Sequence, residues 1–252
     1  MISVVIPTYK RPDLLERLLN SIFSQTMRPN EIIIVDDYSC MDEEYLNLVS
    51  EKKKIFNNIF YIKNECNIGA PASRNIGIKK SKSEWIAIVD DDDEWLPKKL
   101  ELQCKDKYIK NPKLGIISCF TYIDGLQGRK KFKYIPKSYN PIKNILETNF
   151  IPSPAPIIRR SALIKAGLYD ENLISCQDWD MWIRIFQERY EYFIVKEFLT
   201  IYHKHDYASI GKSSKAILGY RRVIYKYKYL ILLKTSPINW IRMLFLFLKT
   251  FF

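Results

Sequence analysis

Asp90-Asp91-Asp92-Asp93 stand directly after the apolar stretch Trp85-Ile86-Ala87-Ile88-Val89. Four adjacent carboxylates repel one another, and folding alone does not ask for them. A strand that delivers them at its C-terminal end builds a seat for a hard divalent cation. Mg²⁺ and Mn²⁺ prefer oxygen donors, and Mg²⁺ is usually held by one or two carboxylates together with a substrate's phosphates. The competing reading is a solvated acidic turn, the common fate of a charge run. Other polar groups cluster in the same way. Pro7-Thr8-Tyr9-Lys10-Arg11 follows one apolar run, Asp36-Asp37-Tyr38-Ser39 a second, and the segment from Asn67 to Asn75, with Arg74, a third. Singly, none is convincing: Arg74 alone reads as a surface residue and Asp36 alone as a helix cap. Farther along stand Gln177-Asp178-Trp179-Asp180 and the chain's two histidines, His203 and His205.

The elements that must position these groups alternate. Residues 2–6, 32–35, 59–62 and 85–89 read as buried strands. Between them, residues 12–25 carry Leu14, Leu15, Leu18, Leu19, Ile22 and Phe23 at helical spacing, with Pro12 where a helix tolerates it. Residues 72–80 make a second helix, and Pro97 opens another. Such alternation predicts an α/β fold with a mostly parallel sheet covered on both faces. Four polar clusters then fall at one edge of that sheet, outside the carboxyl ends of the strands, where open α/β sheets bind ligands. From about Asn111 the pattern loosens. Residues 114–122 read as a strand, 127–137 as a basic loop, 180–188 as a helix and 198–203 as a late strand.

Five ordered motifs give the chain a resemblance to the family 2 glycosyltransferases with the GT-A fold, over about residues 1–207. They are Val-Val-Ile-Pro-Thr-Tyr-Lys-Arg (4–11), Val-Asp-Asp-Tyr-Ser (35–39), Asn-Ile-Gly-Ala-Pro-Ala-Ser-Arg-Asn (67–75), Asp-Asp-Asp-Asp-Glu-Trp-Leu-Pro (90–97) and Gln-Asp-Trp-Asp-Met-Trp (177–182). The resemblance implies a nucleotide-binding half over residues 1–110 and an acceptor half over 111–207. Its donor would be a nucleotide-sugar, a UDP-sugar, and its acceptor a glycan or glycolipid of bacterial surface polysaccharide or lipopolysaccharide. Pro7, Thr8 and Tyr9 would line the base pocket, and Arg11 would lie near the base or phosphates. Asp37 would accept the imide N–H of uracil. Arg74 would approach the diphosphate or the base with its planar donors. Asp90 and Asp92 would form the Asp-x-Asp metal element for Mn²⁺ or Mg²⁺, with Asp92 the direct ligand and Asp91 near the ribose; in a run of four the register stays open by one.

The family usually shows Glu-Asp where this chain has Gln177-Asp178. Asp178 is then the implied general base of an inverting single displacement, and Asp180 competes for that role unless it is a helix-terminal charge. Gln177 still hydrogen-bonds an acceptor but carries no charge. In Tyr202-His203-Lys204-His205 the resemblance assigns His205 to the diphosphate or metal, with His203 on the same face at spacing two. A sugar nucleotidyltransferase would share the acidic site, but would need a glycine-rich triphosphate loop where Pro7-Thr8-Tyr9 stands. A non-catalytic nucleotide-sugar binder would not need Asp92 and Asp178.

The net charge of +12 sits largely at the end of the chain. After Asp206 no acid follows, yet nine Lys and Arg residues do, from Lys212 to Lys249. Residues 208–252 therefore read as a basic amphipathic helical tail. Its apolar stretch 240–252 is shorter than the ~20 residues a bilayer span needs, which points to an interfacial anchor on an anionic membrane surface. The competing reading packs the tail on the core. Nucleic acid is set aside, since no binding module is present. The N-terminus has no basic lead or cleavage site, and five scattered cysteines suit a reducing compartment. Together these place the protein in the cytoplasm, peripheral on the inner face of the cytoplasmic membrane.

Overall fold

The structure is a computed structural model that describes residues 1–136, 138–204 and 214–248. The first half alternates as the apolar pattern predicts: β1 (Ile2–Thr8), α1 (Pro12–Phe23), β2 (Glu31–Asp36), α2 (Asp42–Lys53), β3 (Ile59–Lys63), α3 (Ala70–Lys80) and β4 (Trp85–Ile88). Then follow β5 (Glu94–Trp95), α4 (Lys99–Gln103), α5 (Asp106–Ile109), β6 (Leu114–Asp124), β7 (Lys130–Phe132), α6 (Pro141–Glu147), β8 (Ile157–Arg159) and α7 (Arg160–Lys165). The last elements are α8 (Gln177–Gln187), β9 (Glu191–His203), α9 (Ser214–Lys234) and α10 (Pro237–Leu248).

Among the described residues the strands form one mixed sheet in the order β3-β2-β1-β4-β8-β6-β9-β5, with β7 paired to β6. β1 pairs in parallel with β2 on one side and β4 on the other, and β2 in parallel with β3. The chain therefore winds outward to β3 and returns across β1 to β4. That reversal opens a crevice between the C-terminal ends of β1 and β4, the topological switch point of the sheet. Thr8 ends β1 there, and the acidic run follows β4.

Side chains alternate across the strands with period two. Val5, Ile33, Val35, Ile86, Ile88 and Ile158 face a core shared with α3, α6, α7 and α8. Val4, Ile6, Ile32, Ile34, Ala87 and Ile157 face the other core, under α1, α2 and α4. α3 approaches β1 closely because residue 77 is glycine; a Cβ there would lie 2.3 Å from Val5 Cγ1. Larger residues would push α3, and Arg74 on it, away from the crevice.

Several elements depart from the sequence reading: β7 falls inside the stretch read as a basic loop, and β9 begins at Glu191 and not at residue 198. α2 is absent from that reading because half of its residues are charged, although Tyr45, Leu48, Val49 and Lys52 form a buried stripe at spacings of three and four. α8 begins at Gln177 and not at Asp180, so Gln177 and Asp178 occupy its first turn. The tail is anchored to the fold: Val223, Ile224, Tyr227 and Ile231 of α9 are buried in the same core as α8, and Met243 of α10 joins them.

Candidate active site

The four aspartates alternate in exposure across the turn that follows β4, in which Asp93 N donates to the Asp90 carbonyl at 3.1 Å. Asp90 and Asp92 keep side-chain exposures of 27% and 17%, while Asp91 and Asp93 are fully buried. Asp91 receives Thr8 Oγ1 at 2.7 Å and pairs with Arg11 at 2.6 Å. Thr8 in turn shares a 2.9 Å hydrogen bond with Tyr45. Burial, against the pull of Arg11, pushes the Asp91 carboxyl up to about 7. Burial also raises Asp93 well above the ordinary carboxylate value, with Asp90, Asp92 and Asp91 adding to it. The run thus presents two carboxylates to the crevice and folds two beneath it, which fits an Asp-x-Asp element at positions 90 and 92.

Each outward carboxylate meets an arginine. Arg11 Nη1 donates to Asp92 at 2.9 Å, and Arg17 donates to the Asp92 carbonyl at 2.5 Å. Arg74 Nη2 lies 2.5 Å from Asp90. Burial works to raise Asp90, but the Arg74 guanidinium outweighs it and holds the carboxyl below its ordinary value. Among the described residues no three His, Cys, Asp or Glu side chains converge as a closed metal cage. Two hard oxygen donors open to a crevice fit a cation that completes its shell from substrate phosphates, the habit of Mg²⁺.

Asp37 sits at the neighbouring strand end, and its carboxylate organises the loop into α3. Asn64 Nδ2 and Ile68 N donate to Oδ1 at 3.0 and 2.9 Å, and Gly69 N to Oδ2 at 2.9 Å. Oδ2 takes only one of these three bonds, so it retains acceptor capacity. Tyr9 is exposed at the rim, and Pro7 is buried within β1.

Across the crevice, α8 brings Gln177 and Asp178 to the wall of a cavity of about 500 Å³ that Arg74 and Asp90 also line. Ser153 lines the same cavity, its hydroxyl 3.4 Å from Asp90 Oδ2. Tyr169 Oη is 3.4 Å from Asp178 Oδ1. Burial raises the Asp178 carboxyl above its ordinary value; Arg74 opposes this and Asp90 reinforces it. Asp180 turns the other way. It is fully buried, bound by Arg184 at 2.7 Å, and receives Tyr227 Oη and Lys226 Nζ of α9 at 2.7 Å each. Its charge is spent on fastening the tail, which leaves Asp178 as the carboxylate of this helix that meets the cavity.

Gln177, read from the sequence as able to hydrogen-bond an acceptor, lines the cavity and also holds Arg74. Its Oε1 receives Arg74 Nη1 at 2.6 Å, and its Nε2 donates to the carbonyls of Leu173 and Ile174 at 2.9 and 3.2 Å. A guanidinium only donates and a carbonyl only accepts, so the orientation of the amide is fixed. Gln177 thereby braces Arg74 against Asp90. His203 Nε2 lies 3.2 Å from Glu94 Oε2, and His205 lies outside the described residues. Sequence reasoning missed Tyr45, Ser153 and Tyr169: each acts through a single hydroxyl on a residue that carries no motif.

Residues 3–167 match the family model described as "Glycosyl transferase family 2". An uncharacterized glycosyltransferase of Methanocaldococcus jannaschii is 32% identical over 85% of this chain and 76% of its own length. The putative colanic acid biosynthesis glycosyl transferase WcaA of Escherichia coli is 29% identical over 90% of this chain and 81% of its own. Among solved structures, Staphylococcus aureus TarS 1–349 in complex with UDP-GlcNAc superposes with a TM-score of 0.69 at 18% identity, covering 99% of this chain and 71% of TarS. The mannosyltransferase PcManGT from Pyrobaculum calidifontis, in complex with GDP-Man and Mn²⁺, gives 0.68 at 16% identity over 99% of this chain and 69% of its own. At such identities the two superpositions speak for the fold alone, and they agree on a sheet curled among helices as in the GT-A enzymes. With the family model covering well over half of its length, the chain belongs to glycosyl transferase family 2.

Proposed function

We propose that the protein transfers a sugar from a UDP-sugar to a hydroxyl of a glycan or glycolipid acceptor of a cell-surface polysaccharide, inverting the anomeric carbon. The observation that carries this reading is the cavity shared by Asp90, from the donor half, and Asp178, from α8. Asp90 and Asp92 are the residues that would hold Mn²⁺ or Mg²⁺, which supplies Lewis-acid neutralisation of the departing diphosphate. Arg11 and Arg74, already seated on those carboxylates, offset further phosphate charge. Asp178 takes the proton of the acceptor hydroxyl as its oxygen attacks the anomeric carbon and the bond to the nucleoside diphosphate breaks. Burial keeps Asp178 basic enough for that work. The uracil preference rests on the remaining acceptor capacity of Asp37, and UDP-GlcNAc in the TarS complex supports it. The name of the WcaA relative supports the surface-glycan acceptor.

A thermal-shift screen of UDP- and GDP-sugars with and without Mn²⁺ tests the donor. Ligand at about a hundred times its Kd stabilises by ~2.7 kcal/mol, a rise of roughly 5–10 °C for a domain of this size. UDP-sugars should give that rise with Mn²⁺; a rise confined to GDP-sugars would reassign the base, and none at all would refute the donor site.

Gln177→Glu should slow transfer about tenfold. The carboxylate loses both donors to Leu173 and Ile174 and adds a like charge beside Asp178. The acid limb of the pH–rate profile should therefore move upward, by roughly half to one unit. An unmoved limb would show that residue 177 does not act on Asp178.

The same reading places the enzyme on the cytoplasmic membrane's inner face. Among the described residues no helix is long and apolar enough to cross a membrane. Ile238, Ile241 and Leu244, spaced by three on α10, are exposed at 78%, 70% and 58%. Their joint replacement by serine should release the protein from phosphatidylglycerol vesicles in sedimentation; continued co-sedimentation would remove the anchor.

A further inference from the structure

We infer that α9 forms a wall of the acceptor subsite, and that Tyr220 presents its ring to the apolar face of an acceptor sugar. The inference rests on the reading of Asp178 as the base, which assigns this end of the cavity to the acceptor. Tyr220 lines the cavity and is 43% exposed, so it is no filler of the core. Its ring is backed by Trp179, at 5.7 Å between centroids and tilted by 59°. Trp179 is itself buried and fixed by a 2.7 Å hydrogen bond from its indole to the Ile145 carbonyl. The ring is therefore supported on one side and open on the other.

Two further contacts make this placement a built feature. Residue 219 is glycine where α9 crosses Ser175, another cavity residue; a Cβ at 219 would lie 1.8 Å from Ser175 Oγ and 2.7 Å from its carbonyl oxygen. Two turns on, Tyr227 and Lys226 grip Asp180, only two residues from Asp178. The helix is thus held against the same short segment that carries the base. Phe132 and Tyr202 add aromatic surface to the cavity, while Asp90, Gln177 and Asp178 make it polar at one end. A pyranose has this amphipathic character, with C–H faces for aromatic rings and a hydroxyl edge for carboxylates. Tyr220 lies beyond residue 167, where the family match ends.

The test uses the full chain, UDP-glucose and UDP-N-acetylglucosamine as donors, and methyl glycosides of glucose, galactose and N-acetylglucosamine as acceptors. Tyr220→Ala should raise the acceptor KM roughly tenfold, the loss of one apolar ring contact, with the donor KM as internal reference. Tyr220→Phe keeps the ring and should stay within about twofold of wild type, since the contact is to the face and not the hydroxyl. An unchanged acceptor KM in Tyr220→Ala, or an equal loss in Tyr220→Phe, overturns the ring contact. If the wild type transfers to none of these acceptors, it is the catalytic reading that fails, and saturation-transfer NMR with the same methyl glycosides decides the subsite on its own. Ring-proton signals that weaken in Tyr220→Ala support the contact, and signals equal in both proteins, or absent from both, overturn it.

Discussion

Asp178→Asn keeps its donor and stops transferring sugar. Asparagine preserves the shape of the side chain but accepts no proton, and loss of a positioned general base typically costs 10²–10⁴-fold in rate. The Mn²⁺-dependent thermal shift with UDP should survive, because the donor carboxylates Asp90 and Asp92 are untouched. In the wild type, kcat/KM should fall as pH drops through the Asp178 pKa, since the protonated carboxyl has no room for the acceptor proton. Burial places that fall above the ordinary aspartate range. In the variant this limb should vanish. Turnover within about tenfold of wild type would remove Asp178 from the role. Asp180 is a poor substitute, because Arg184, Lys226 and Tyr227 already occupy its carboxylate.

Asp92→Asn separates metal from nucleotide. The side chain meets the crevice at 17% exposure and faces Arg11. Its neutralisation removes one of two hard donors, so the increment that Mn²⁺ adds to UDP binding should disappear, a loss of roughly 5 °C or more at saturating ligand. Metal-free UDP binding should persist, because Arg11 no longer shares its charge with that carboxylate. Calorimetry of UDP with and without Mn²⁺ reads both terms. An intact Mn²⁺ increment would move the metal away from Asp92.

Much of this arrangement is legible before folding, because two rules of regular structure write directly into sequence. A short apolar run that ends in carboxylates reads as a buried strand delivering them at its end. Strand–helix alternation forces the polar clusters to one edge. What stays hidden depends on partners distant in sequence. The grip of Gln177 on Arg74 is one such case, since the two stand over a hundred residues apart. Asp180 reads as a rival base until α9 arrives to claim it. The packing of α9 is equally hidden, because apolar residues such as Val223, Ile224, Tyr227 and Ile231 look alike whether they meet lipid or α8. α2 escapes notice for the opposite reason: its exterior is so charged that four inward residues scarcely register.

The clamp on Asp180 bears on how such enzymes can be recombined. A chimera that exchanged the C-terminal helices of two relatives would leave the buried Asp180 to Arg184 of its own helix, without the hydroxyl and ammonium of Tyr227 and Lys226 on its other oxygen. A half-satisfied buried carboxylate would then loosen the turn that holds Asp178, two residues away. Modular exchange of the tail is thus limited to donors that carry a matching latch, and libraries of hybrid transferases should be cut before α8, so that helix and tail travel as one cassette.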